Sequence, residues 1–329
     1  MKISTIKEKF KNEQRLAISP DSAKAYSKAG HEVFVEKGSG LGSNFSDSNF
    51  ETAGSKVSAV PLEILADADL ILKIKPTKDD PEFSEYSLAK EGAVIIGFFD
   101  PHNNKQLIEH YASKKVTLLS MELVPRTTKA QSFDALSSQA NLIGYRAVLE
   151  ASYHYKRSFP MFMTAAGTVN PAKVLILGAG VAGLQAIATA KRLGAQVSAY
   201  DVRSAAKEQV ESLGAKFIHP DLNADFSGTG GYAKEIDEDF AKRQEEMLLS
   251  ESEKYDIIVT TASIPGKKAP ILITKEMVKS LKRGSVIVDI ASASGGNTEV
   301  TSKDEIVDIN GVKIIGYSNL ICSISEEAS

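Results

Sequence analysis

The chain has 329 residues, with 39 Lys and Arg against 42 Asp and Glu, a formal net charge of −3. That balance supplies no global positive field for nucleic acid or an anionic membrane, and the length predicts two domains of about 150 residues. Gly (23) and Pro (11) are too few for collagen or low-complexity sequence, and the 43% hydrophobic and 25% charged content is that of a globular protein. The single cysteine, Cys322, excludes an internal disulfide framework and a cysteine-cluster metal site. A reducing compartment fits best, and no metal is expected. Residues 1–20 mix charge into their first apolar stretch, unlike a signal peptide. No run of about 18 apolar residues exists to span a membrane directly.

Short β-branched runs alternate with amphipathic stretches, the pattern of parallel βα units. Strands are predicted at 2–7, 32–37, 70–74, 93–98 and 116–120, with helices such as 21–29 and 104–113 between them. The second half predicts strands at 173–177, 196–201, 216–219, 256–261, 285–290 and 312–316. Runs such as Val174–Leu177 are apolar on both faces, as strands covered by helices on both sides must be. The fold class is therefore α/β: two doubly wound Rossmann-like domains with parallel sheets. From about 130 to 157 only Gly144 interrupts a helical text, which predicts one long helix joining the domains. The expected boundaries are 1–130 and 131–319, with about 320–329 returning to the first domain. Ligands of open α/β sheets bind beyond the carboxyl ends of the strands, so a cleft edged by this helix is the expected site. Residues 225–231 (DFSGTGG) read as a linker or a lid before a charged helical stretch at 233–250. The end, 318–329, is expected to carry no terminal helix.

Gly178-Ala-Gly180-Val-Ala-Gly183 follows the strand KVLIL and opens a helix predicted at 184–193. Gly178 permits the tight turn, Gly180 lets a pyrophosphate approach backbone N–H groups, and Gly183 packs helix against strand. The helix N-terminus adds partial positive charge. The next strand ends in Asp201, 23 residues beyond Gly178, near the ~20 of a dinucleotide fingerprint. Asp201 would accept from the adenosine ribose hydroxyls and repel a 2′-phosphate, favouring NAD(H); Arg203, two residues on, is a group that could instead pair with a phosphate.

A dehydrogenase of hydroxy or amino acids must move a proton with the hydride, which requires a suitable side chain in the cleft. Of the five histidines, His31, His110 and His154 read as solvated surface groups, and His219 as part of an ordinary turn before Pro220. Only His102, after a first-domain strand, is placed like a catalytic acid or base. No convincing acid–base pair emerges.

The segment Arg126-Thr-Thr-Lys-Ala-Gln131-Ser-Phe-Asp134, running into ALSSQANLIGYRAV, closely resembles one family. It is the NAD(H)-binding component (alpha subunit, domain I) of proton-translocating NAD(P) transhydrogenase. KEKFKNEQRLAISP, LILKIKP, GAGVAGLQAIATAKRLGAQVSAYDVR, TTASIPGKKAP and VIVDIASASGGN resemble it in the same order, over nearly the whole chain. Alanine dehydrogenase is the sister family. Its catalytic histidine falls in the block reading GFFDP here, where Phe98 and Phe99 stand, and its aspartate aligns with Ala293. Arg15 and Lys75 match its substrate-carboxylate contacts. Hydride transfer from NADH to NADP+ releases no proton at the nicotinamides and needs only positioning, so the missing pair favours transhydrogenase.

The resemblance implies that Arg126, Gln131 and Asp134 form a loop beside the nicotinamide. Gln131, able to donate and accept, would hold the dihydronicotinamide, while Asp134 and Arg126 would fix the loop by a charge-assisted bond. Ser137 and Ser138 would bond the carboxamide or ribose, and Gly231 and Tyr232 would belong to a loop that closes over nucleotide. Val181, Val202, Thr261 and Ala262 complete the implied contacts, beside Gly178, Gly180, Gly183, Asp201 and Arg203. Also implied are NADP(H) on a partner component, a membrane component that moves protons, and a homodimer. Further helices follow SNL in the family, so ending at Ser329 would leave first-domain apolar surface less covered. The expected location is bacterial cytoplasm at the inner membrane face, because no Arg- and Ser-rich transit segment points to a mitochondrial matrix. Two other readings are a stand-alone alanine-dehydrogenase-like enzyme and a non-catalytic NAD-binding module.

Overall fold

The structure, a computed structural model, describes residues 1–75, 88–125, 127–221, 224–228, 233–234, 236–264 and 266–329. The chain divides into two compact units, Met1–Leu136 with Ile321–Ser329, and Ser137–Leu320.

The first unit is built on six parallel strands: β1 (Lys2–Thr5), β2 (Glu32–Glu36), β3 (Lys56–Ser58), β4 (Leu70–Leu72), β5 (Val94–Gly97) and β6 (Thr117–Ser120). Their spatial order is β3-β2-β1-β4-β5-β6, so the winding reverses between β1 and β4. Helices α1 (Pro20–Lys28), α2 (Asp47–Thr52), α3 (Pro61–Leu65) and α4 (Lys105–Ser113) connect them. Side chains alternate across the sheet into two cores: Ile71 joins one with Ile64, Ile95 and Tyr111, while Leu72 joins the other with Ile3, Val33 and Phe50. Strand β3 was not predicted; the text KVS is too short to show an alternation.

Helix α5 (Ala135–His154) spans the boundary between the units. It starts later than the predicted 130, because Thr128–Phe133 forms a 3-10 helix and Asp134 leaves the helical region at ψ 80°. The second unit continues with a hairpin, β7 (Phe162–Thr164) and β8 (Gly167–Val169). It then forms a seven-stranded sheet from β9 (Lys173–Leu177), β10 (Gln196–Tyr200), β11 (Lys216–Ile218), β12 (Ile257–Thr260), β13 (Val286–Asp289), β14 (Ile306–Ile309) and β15 (Val312–Ile315). The order is β11-β10-β9-β12-β13-β15-β14. Val174 to Leu177 are fully buried, each apolar side chain of this size contributing about 1.5–3 kcal/mol over exposure.

The second sheet carries one antiparallel pair at its edge. Strand β14 pairs antiparallel with β15, Ile309 facing Val312. The two residues between, Asn310 and Gly311, both have positive φ (54° and 83°), which is the tight hairpin turn that Asn-Gly prefers. Helices α6 (Val181–Arg192), α7 (Ala206–Ser212), α8 (Glu238–Ser252) and α9 (Lys275–Ser280) complete the unit. Helix α6 starts three residues before the predicted 184, and α8 starts at Glu238, not 233. Asp237 sets that start by accepting the Phe240 N–H at 2.7 Å.

The C-terminus also departs from expectation. Leu320–Ile324 makes a 3-10 turn and Ser325–Ala328 a short helix, α10. This segment is tied to the first unit: Ser325 Oγ donates to Gly42 O at 2.7 Å, and Leu16 N–H donates to Ser329 Oγ at 3.0 Å.

Candidate dinucleotide site

The β9–α6 turn is set by close packing. Gly178 has φ 101°, a conformation that disfavours any side chain, and a Cβ there would lie 2.6 Å from Thr261 Oγ1. A Cβ on Gly183 would stand 1.8 Å from Gly178 O, so helix and strand touch backbone to backbone. Gly180 differs: nothing lies within 4 Å of its Cβ direction. It is the N-cap of α6, with extended backbone and no side chain satisfying the first helical N–H groups. Three glycines thus do two jobs, two closing the turn and one leaving its approach open to a ligand.

Thr261 and Ala262, half-buried after β12, form the opposite wall. Thr261 Oγ1 donates to Gly178 O at 3.0 Å, and Ala262 is clamped by Asn297. The Asn297 carboxamide accepts the Ala262 N–H at 3.1 Å and donates to Ala262 O at 2.9 Å and Pro270 O at 2.8 Å. Behind Asn297 is Asp289, fully buried at the end of β13. Its Oδ1 accepts from Thr260 Oγ1 (2.9 Å) and Ala291 N (3.1 Å), and its Oδ2 from Asn297 N (2.7 Å), Thr298 N (3.2 Å) and Thr301 Oγ1 (2.6 Å). Five donors satisfy the buried carboxyl oxygens. Neither Asp289 nor Asn297 was singled out from sequence; the available signal was an Asp closing a buried strand followed by Gly-Gly-Asn.

Asp201, at the end of β10, is 6% exposed and reaches back to the glycine turn, accepting the Ala179 N–H at 2.7 Å. Arg203 grips it with Nε and Nη2, both at 2.7 Å. The Asp201 hydrogen bond and charge raise the Arg203 guanidinium pKa against the opposing cost of burial. Val181 opens α6, and Val202 stands half-buried between the two charged residues. Helix α5 is drawn close at Gly144, where a Cβ would lie 2.1 Å from Ala182 O. This accounts for the lone glycine in that helix. Ser137 and Ser138, in its first turn, lie about 10 Å further toward its N-terminus.

Gln131 and Asp134 belong to the first unit. Gln131 is exposed in the 3-10 turn, and Asp134 is half-buried immediately before α5, where a carboxylate complements the helix N-terminus. Arg126, Gly231 and Tyr232 lie outside the described residues. At the base of the segment expected to be a linker or a lid, Ser227 bridges Ala233, and Phe226 packs on Phe240 with ring centroids 4.5 Å apart.

One histidine differs from expectation. His154 is no solvated surface group: its ring is 3.1 Å from the buried Glu150 carboxylate. His219 stacks on Tyr200 and Phe217 and accepts the Asp221 N–H at Nδ1. His102 is exposed in the turn after Asp100. Among the residues matched to alanine dehydrogenase, Arg15 is occupied by its neighbour Glu13 through bonds of 2.8 and 2.7 Å. Lys75 lies over the Phe10 ring at 5.5 Å, Phe99 is buried, and Ala293 is exposed.

Two doubly wound units, the second opening its first crossover helix at a glycine-rich turn, define the Rossmann class. Residues 4–143 match the alanine dehydrogenase/PNT N-terminal domain, and residues 147–329 the C-terminal domain. The chain is 53% identical over its full length to the first part of NAD(P) transhydrogenase subunit alpha of Rickettsia prowazekii, covering 86% of that protein. To the same-named protein of Rhodospirillum rubrum it is 49% identical, again over 100% of this chain and 86% of the relative. A crystal structure of transhydrogenase from Sinorhizobium meliloti superposes with a TM-score of 0.90 at 45% identity, covering 100% of this chain and 89% of that one. The chain belongs to the alanine dehydrogenase/PNT family, in the branch of transhydrogenase alpha subunits, with alanine dehydrogenase as sister.

Proposed function

We propose that this chain is the NAD(H)-binding subunit of a proton-translocating NAD(P) transhydrogenase, holding NADH for direct hydride transfer to NADP+ on a partner component. The observation that carries the reading is the β9–α6 turn, closed by Gly178 and Gly183 yet open at Gly180, with Asp201 beside it. The first N–H groups of α6 fit a pyrophosphate, and Thr261 and Ala262 line the opposite side. Bound NADH supplies a hydride, which leaves its C4 and joins C4 of NADP+, giving NAD+ and NADPH with no proton released at either ring. The residues then have only to orient the rings and exclude water, bringing the two carbons to about 3–3.5 Å. Gln131 holds the dihydronicotinamide, Asp134 with Arg126 fixes its loop, and Ser137 and Ser138 bond the carboxamide or ribose. Tyr232 and Gly231 close over the nucleotide.

The block that carries a histidine in alanine dehydrogenase holds Phe98 and a buried Phe99, and Arg15 is already bonded to Glu13. Both features disfavour amino-acid oxidation by this chain. No helix among the described residues is long and apolar enough to cross a membrane. The likeness to transhydrogenase alpha subunits supports a proton path on a separate membrane component, with this subunit at the inner face of a bacterial membrane. The exposed β7–β8 hairpin, with Met161, Phe162 and Met163 about it, supports a homodimer, since a two-stranded sheet is marginal alone. The deciding experiment is hydride transfer from NADH to an NADP+ analogue, with and without a purified NADP(H)-binding component. Transfer only with the partner supports the subunit reading; NADH formed from an amino acid and NAD+ without it would replace that reading. Gln131→Asn is expected to slow transfer about 10-fold or more at nearly unchanged NADH affinity, and an unchanged rate would remove the role given to Gln131.

A further inference from the structure

The Asp201 carboxylate is saturated. A carboxylate offers about four lone-pair positions, and each oxygen here has two donors. Oδ1 accepts from Arg203 N at 2.9 Å and Arg203 Nε at 2.7 Å; Oδ2 accepts from Ala179 N at 2.7 Å and Arg203 Nη2 at 2.7 Å. Two of these donors are backbone groups fixed by the fold. The other two belong to one guanidinium, whose side chain is 17% exposed against 7% for Asp201. A ribose diol needs two acceptor positions on this carboxylate, and the guanidinium occupies two.

We propose that Arg203 is an exchangeable counter-ion of Asp201: the adenosine ribose hydroxyls displace its guanidinium, and its charge blunts the refusal of a 2′-phosphate. The inference rests on the dinucleotide reading and adds to it the residue that sets nucleotide preference. While the pair is closed, a 2′-phosphate meets a neutralised carboxylate in place of a bare one. The negative charge of Asp225 also acts on the guanidinium. Asp225 in turn accepts from Ser227 Oγ at 2.7 Å, and Ser227 bridges Ala233 across the base of the glycine-rich loop. The spacing Asp-x-Arg brings out both roles. Arg203 competes with NAD(H) for Asp201, and it lowers the barrier to NADP(H).

The test is equilibrium binding of NADH and of NADPH to the full chain, unsubstituted and as Arg203→Ala and Arg203→Lys, with folding checked by thermal melting. Arg203→Ala keeps both backbone donors to Asp201. It is expected to bind NADH about 3- to 10-fold more tightly and NADPH more weakly, widening the preference about 10-fold or more. Arg203→Lys, which keeps the charge without the fork, is expected to fall between, and it reads the same sign if Arg203→Ala does not fold. Weaker NADH binding by both variants would overturn the inference, since the guanidinium would then grip the nucleotide directly. Parallel changes for both nucleotides would overturn it as well. Those results leave NADH binding by the unsubstituted chain intact, whereas its binding neither nucleotide removes the dinucleotide reading itself and this inference with it.

Discussion

The parallel strands of the two units wind in the same order, and their switch points are filled differently. In the first, the crevice between β1 and β4 is plugged by its own charges. Glu8 accepts the Ile74 N–H at 2.7 Å and lies 3.4 Å from Lys73, and both side chains are buried. In the second, the crevice between β9 and β12 is lined by backbone, and Gly180 leaves an approach with nothing within 4 Å. The connection lengths differ as well: β1 reaches α1 only at Pro20, through a loop long enough to carry Glu8, Glu13 and Arg15, whereas Gly178, Ala179 and Gly180 alone separate β9 from α6. A shared topology thus provides a crevice in each unit, and the residues of one loop decide whether backbone amides or paired side chains occupy it.

The strongest way to break the contrast is Gly183→Ala. Its Cβ would need space 1.8 Å from Gly178 O, and urea unfolding is expected to show a loss of about 3 kcal/mol, with NADH binding abolished. Gly180→Ala separates fold from function at the same turn. It should leave stability nearly unchanged while weakening NADH binding about 10- to 100-fold, because the added methyl fills the pyrophosphate's approach. Equal stability losses in the two variants would show that Gly180 serves packing alone.

Asp201→Ala is expected to weaken NADH binding about 10-fold and to narrow the preference over NADPH. Equal losses for both nucleotides, measured by titration, would reject selection by this carboxylate.

The buried ion pair on the same first-unit loop, Glu13 with Arg15, is tested through pH. Burial pushes the Glu13 carboxyl up, but the hydrogen bonds and charge of Arg15, with the Cys322 thiol, outweigh it and hold the carboxyl below the usual carboxylate range. A carboxyl lowered in the folded state adds stability above its unfolded pKa and loses it as pH falls through the folded value. Glu13→Gln should therefore cost about 1 kcal/mol at pH 7 by urea unfolding, a cost that shrinks as pH falls through the folded-state value. The smallest effect concerns Cys322. Burial, with Glu13 beside it, pushes this thiol up, so labelling at pH 8 by a disulfide reagent is expected to run slower than for free cysteine and to accelerate in Glu13→Gln.

What could be read in advance was local. The Gly178–Gly183 spacing, the apolar run Val174–Leu177 and Asp201 closing the next strand each lie within one βα unit, where sequence neighbours are spatial neighbours. The Asn310-Gly311 turn was equally local, and its hairpin signal stood in the text although the strand it begets, β14, went unpredicted. The Asn297 clamp on Ala262 joins residues 35 apart, and the Cys322 contact with Glu13 joins residues 309 apart, so neither leaves a periodic trace. Two Rossmann-like sheets and a glycine turn are legible in the amino-acid order alone, because strand hydrophobicity and backbone sterics act over a few residues. Folding was needed to bring Asp289 behind Asn297, to pair Glu8 with Lys73 in the first crevice, and to saturate Asp201 with Arg203. Those depend on which side chain reaches a buried charge first, a competition among residues brought together only by the folded chain.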